Sequence, residues 1–91
     1  MPDCQRTLTI ENTKGLHARA SARFVETVEA YDADARVSRE DQTVGGNSIM
    51  GLLMLAAHKG TTIDVTCTGP EADALMSALE ALLANRFGEA D

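Results

Sequence analysis

Apolar residues in this 91-residue chain switch repeatedly between a spacing of two and a spacing near 3.6, with short polar breaks at each switch. Thr7-Leu8-Thr9-Ile10-Glu11 alternates, as a strand with one buried face does. Ala35 to Arg39 alternates again, and a polar Glu40-Asp41 turn leads into Gln42-Thr43-Val44, which together predict a hairpin. Thr61 to Cys67 places Ile63, Val65 and Cys67 on one face. Between these segments the spacing predicts a helix from about Ala18 to Ala30, where Ala22, Val25, Val28 and Ala30, with Phe24 and Tyr31, recur at helical intervals. Ser48 is placed to cap a second helix that runs to His58-Lys59-Gly60, where a basic residue followed by glycine is a stop signal. Thr68-Gly69-Pro70-Glu71 has the form of a capping box ahead of the stripe Leu75, Met76, Leu79, Leu82 and Leu83. The order is β-α-β-β-α-β-α. Short hairpins without tandem βαβ units predict an α+β fold, an open-faced β-sandwich whose four-stranded, mainly antiparallel sheet carries three helices on one face. The length suits one domain over residues 1–91. Only Met1-Pro2-Asp3 and residues 88–91 look loose.

Composition narrows the function. Hydrophobic residues make up 44% of the chain and aromatic ones 3%, so the core is expected to be aliphatic and there is no aromatic platform for nucleobases. A formal net charge of −6 opposes nucleic acid and anionic membranes, which need a basic surface. No segment approaches the roughly 20 apolar residues of a membrane span, so a soluble cytoplasmic protein is expected. Cys4 and Cys67 lack C-x-x-C spacing and read as small buried residues on strands, able to form a disulfide only if those strands are neighbours.

The chemistry concentrates in Lys14-Gly15-Leu16-His17-Ala18-Arg19-Ala20-Ser21, which joins the first strand to the first helix. Phosphoryl transfer through a histidine needs a neutral imidazole as nucleophile, positive charge to hold the phosphate, and access from solvent. A histidine just before a helical turn meets these needs, because the first backbone N–H groups, that of Ala18 included, are unpaired and can donate to phosphoryl oxygens. Arg19, two residues on, would add a charge-assisted fork of donors. A second segment, Gly46 to Leu55, puts Ser48 at the head of a short helix and has no charged residue through Ala57. Winding it as a helix sends Leu52, Leu55 and Ala56 to one side and Ile49, Met50 and Leu53 to another, so one apolar side is expected to stay exposed as a binding surface. His58 reads as a last-turn residue facing the negative end of that helix. A zinc site built from His17, His58 and a cysteine lacks further ligands at suitable spacing, and no metal or cofactor is expected.

Gly15-Leu16-His17-Ala18-Arg19 and Asn47-Ser48-Ile49-Met50-Gly51, in this element order from about Cys4 to Phe87, resemble the histidine-containing phosphocarrier protein (HPr) family of bacterial phosphotransferase systems. The resemblance implies that His17 is the phosphorylated histidine and Arg19 its partner, and that Ser48 is a regulatory serine modified by an HPr kinase/phosphorylase. It also implies docking of enzyme I and enzyme II A-type acceptors on Ile49, Met50 and Leu53; a monomer suits a shuttle that must expose one face to different partners. The chain departs from the family pattern at Ala20, where most members have proline. A regulatory binding module that acts through the Ser48 face, without obligatory phosphorylation of His17, is the alternative.

Overall fold

The computed structural model describes residues 3–89. Four strands, β1 (Asp3–Thr9), β2 (Asp34–Arg39), β3 (Gln42–Gly45) and β4 (Thr62–Thr68), pair antiparallel in the order β1-β4-β2-β3. Helices α1 (Ala18–Glu29), α2 (Ile49–Met54) and α3 (Ala72–Ala84) alternate with them, and a single 3₁₀ turn, Arg86–Gly88, follows α3. This is the open-faced α+β arrangement that the periodicity predicts. Inward residues of the strands, Leu8, Val37, Ile63, Val65 and Cys67, meet Ala20, Phe24, Val28, Leu52, Leu75, Met76 and Leu79 from the helices in one continuous core. The core is not purely aliphatic, because both phenylalanines, Phe24 and Phe87, are fully buried.

Several boundaries differ from the sequence expectation for identifiable reasons. β1 starts at Asp3 and ends at Thr9, so Asp3 is not loose. Its alternation is masked because Arg6 shares the parity of buried Cys4 and Leu8, yet reaches past the edge of the sheet toward Glu80 on α3 at 3.7 Å. α2 stops at Met54 rather than near His58, because Ala56 adopts a left-handed conformation (φ 52) just beyond the Leu55 cap. That is the position where a glycine ordinarily ends a helix. His58 therefore lies outside α2, and Arg39 takes the capping role instead by donating from Nη1 to the Leu55 carbonyl at 3.1 Å. The capping box does not form. Thr68 stays in β4, Glu71 is the N-cap of α3, and its carboxylate accepts from the Asp32 N–H at 2.6 Å instead of from its own helix.

Cys4 and Cys67 face each other directly across β1 and β4, so the neighbouring-strand condition for a disulfide is met, and both are free thiols. Burial pushes the Cys67 thiol up from 9.0 to about 11, with the facing Cys4 adding to the effect. The folded chain thus holds a proton that the unfolded chain releases near pH 9. The resulting contribution to stability is complete below about pH 9 and is lost as pH rises from 9 toward 11. Urea unfolding of wild type and Cys67→Ala at pH 8 and pH 10.5 should show a larger alkaline loss in the wild type. Equal losses would mean that the thiol ionises alike in both states.

Candidate phosphoryl-transfer site

The site is assembled where β1 leaves the sheet. Ile10 still bonds to the chain just ahead of β4, donating to the Thr61 carbonyl at 2.9 Å and accepting from the Gly60 N–H at 2.9 Å. The chain then turns through Asn12 to Gly15, closed by a Gly15 N–H bond to the Asn12 carbonyl at 3.2 Å. Gly15 is left-handed (φ 66) and lies against the loop after α2, where an added Cβ would stand 2.4 Å from the Ala57 carbonyl oxygen. The next residue, Leu16, donates its N–H to that same oxygen at 2.9 Å. Only glycine fits this approach.

His17 is the N-cap of α1, in extended backbone conformation, and Nδ1 of its ring accepts from the Arg19 N–H at 3.3 Å. The imidazole thus takes the place that a serine or aspartate oxygen takes in an ordinary cap. Buried Ser21 steadies the turn, its N–H donating to the His17 carbonyl at 2.8 Å and its hydroxyl to the Leu16 carbonyl at 3.2 Å. A neutral ring whose Nδ1 accepts must carry its proton on Nε2. Nε2 faces the carboxylate of Glu89, and the two are in direct contact. The His17 side chain keeps 26% of its surface exposed. Nδ1, with its lone pair turned to the first-turn N–H groups, is therefore the nitrogen suited to attack phosphorus. A phosphoryl group on it would meet those N–H groups, Ala18 included.

Arg19 is exposed on the first turn, and among the described residues its guanidinium has no hydrogen bond or ion pair, so it is available to an incoming anion. Ala20, where the family pattern has proline, is fully buried and the helix forms around it. The second predicted segment gives a half-buried Ser48 as N-cap of α2, its Oγ accepting from the Gly51 N–H at 3.0 Å. Of the predicted docking residues, Met50 is 69% exposed, Ile49 is 40% exposed and Leu53 is half-buried. Met54, at 65%, extends the same apolar face, whereas Leu52 and Leu55 are in the core. Ala56, expected on the buried side, is exposed because the helix has already ended.

Two residues of the site were not singled out from the sequence. Asn12 is fully buried, and its Nδ2 donates to the Gly15 carbonyl at 2.8 Å and to Glu89 Oε1 at 3.0 Å. Both neighbours are acceptors, which fixes the orientation of the amide, and Oδ1 has no partner among the described residues. Glu89 belongs to the stretch from Gly88 that the sequence predicts to be loose, of which Ala90 and Asp91 lie outside the described residues. Its side chain is 9% exposed and held on two sides. A buried asparagine in a loop signals structure, but no local pattern connects Glu89 to a histidine 72 positions earlier.

Comparisons with known proteins identify the family. The family model described as "PTS HPr component phosphorylation site" matches residues 4–85. The phosphocarrier protein HPr of Cupriavidus necator is 45% identical over 87 residues, covering 96% of this chain and 98% of that protein. The HPr of a Neisseria meningitidis serogroup A strain is 41% identical over 87 residues, with 96% and 98% covered. The crystal structure of HPr-C-His from Thermoanaerobacter tengcongensis superimposes with a TM-score of 0.91 at 31% identity, covering 97% of this chain and 99% of that one. The chain belongs to the HPr family, the phosphocarrier proteins of the phosphotransferase system.

Proposed function

We propose that the chain, as a cytoplasmic monomer, accepts a phosphoryl group from phosphorylated enzyme I onto Nδ1 of His17 and passes it to an enzyme II A-type protein. The observation that carries this reading is the imidazole used as a helix N-cap. Nδ1 of the ring lies at the first turn of the helix and accepts from the Arg19 N–H, the side chain is partly open to solvent, and an unengaged guanidinium stands two residues away. Attack by Nδ1 forms the N–P bond while the bond to the donor breaks with its electron pair staying on the donor. The reverse step on an acceptor restores the free imidazole.

The exposed apolar side of α2 supports docking by Ile49, Met50 and Leu53, with Met54 beside them. Methionine adapts to differently shaped partners, as successive encounters with a donor and an acceptor require. Ser48 caps this helix, and a phosphate on it would place negative charge at the helix N-terminus, which the fold tolerates and an acidic partner would repel. This is how an HPr kinase/phosphorylase would regulate docking.

Incubation with phosphoenolpyruvate, Mg²⁺ and active enzyme I should add one acid-labile phosphate to the wild type and none to His17→Ala. The variants Met50→Asp and Ser48→Asp should still be labelled, but with a raised KM for the carrier. A wild type that stays unmodified, while binding partners through the Ser48 face, would favour the regulatory binding module.

A further inference from the structure

The contact between His17 and Glu89 is delivered by an unusual piece of backbone. Arg86, Phe87 and Gly88 have φ angles of 55, 57 and 77, three consecutive left-handed residues of which only one is glycine. Ordinary side chains disfavour that conformation, and it persists only where surrounding packing holds it. Here the anchor is Phe87, fully buried in the core. The turn brings the Gly88 N–H to the Asn85 carbonyl and the Glu89 N–H to the Arg86 carbonyl, at 2.9 and 3.0 Å. Its outcome is a carboxylate with one oxygen on His17 Nε2 and the other on the Nδ2 of buried Asn12. A terminal glutamate whose only task was solubility would need neither a left-handed turn nor a buried amide to hold it.

We propose that Glu89, oriented by Asn12, is a positioning residue that keeps the His17 ring proton on Nε2 throughout the transfer cycle. The proposal rests on phosphoryl acceptance at His17. Before transfer, the carboxylate accepts a hydrogen bond from the Nε2–H, which keeps the proton there and leaves the lone pair on Nδ1, the nitrogen aimed at the helix N-terminus. When Nδ1 attacks phosphorus and the donor departs with its bonding electrons, the ring becomes an N-phosphorylated imidazolium with its proton still on Nε2. That cation faces the Glu89 carboxylate. In the next step the N–P bond breaks toward the acceptor, its electron pair returns to Nδ1, and a neutral imidazole is regenerated with no proton exchanged. Loss of the Nε2 proton at the intermediate stage would leave a neutral phosphoimidazole, whose N–P bond would have to break to an imidazolate, a much poorer leaving group. Glu89 thus serves both acceptance and donation through one hydrogen bond, and Asn12 prevents the carboxylate from rotating away.

The test is ring ¹⁵N NMR of the unphosphorylated protein with a neutral imidazole, together with rates of phosphoryl transfer. The wild type should show His17 with a protonated Nε2 and an unprotonated Nδ1. Glu89→Ala should give a mixture of both tautomers and slow transfer to an enzyme II A-type acceptor about 10-fold, the scale of one lost hydrogen bond to a charged group. Glu89→Gln keeps one acceptor oxygen for the two donors, His17 Nε2–H and Asn12 Nδ2, so it should restore the wild-type tautomer and the rate only in part. A wild type with the proton on Nδ1, or a tautomer unchanged in Glu89→Ala, would overturn the proposal. Because the tautomer is read without phosphate, these results are distinct from a failure of His17 to be phosphorylated at all. An unchanged thermal midpoint in Glu89→Gln keeps the reading free of folding effects.

Discussion

Gly15→Ala should be among the most damaging single-methyl additions in this protein, lowering stability by roughly 3 kcal/mol through left-handed strain combined with displaced backbone. The added Cβ would stand 2.4 Å from the Ala57 carbonyl oxygen and 2.8 Å from the His58 Cα, and neither is the flexible end of a side chain. In a domain of this size the loss corresponds to a drop of more than about 10 °C in Tm. Gly60→Ala is the internal control. Gly60 is also left-handed (φ 91), yet nothing lies within 4 Å of its added Cβ, so that variant should lose only the conformational share, about 1 kcal/mol. Thermal melts of the two variants separate strain from collision. Equal midpoints would show that the loops can part without cost.

Arg19→Ala should leave the fold intact and reduce the rate of phosphoryl acceptance from enzyme I by about 100-fold, the scale of one preorganised donor to developing phosphate charge. The side chain is exposed and has no ion-pair partner among the described residues, so its removal breaks nothing in the resting protein. Lysine in its place should recover part of the rate, because the charge returns but the planar fork of donors does not. Single-turnover phosphorylation monitored by mass provides the measurement. A rate within twofold of wild type would remove Arg19 from the phosphate-holding role.

Much of this architecture was legible because period-two and period-3.6 segments alternate with polar breaks, and because His17 and Arg19 sit at a strand-to-helix junction. The failures arose where a residue acts against its usual meaning. Ala56 takes the left-handed place that a glycine would announce, so the end of α2 looked four residues later than it is. Glu71 has the spacing of a capping box but bonds to the loop after α1. Arg6 interrupts the apolar rhythm of β1 because an edge strand lets a long side chain escape toward Glu80. Glu89 could not be placed by any local rule. Its position depends on a core phenylalanine and a backbone conformation that amino-acid type does not announce. The exposed side of α2 was readable from its lack of charge, whereas the contribution of Met54 required knowing where the helix turns away.

The bond from the Leu16 N–H to the Ala57 carbonyl joins the loop that carries His17 to the loop that leaves α2. A surface helix and a reactive ring on separate segments would ordinarily drift relative to each other, and each docking event would have to search for alignment. Tied together at 2.9 Å, they act as a gauge of fixed length. In the proposed function, a partner seated on Met50 and Met54 would find the imidazole at a set offset, and different partners would need only to build to the same offset to exchange the same group.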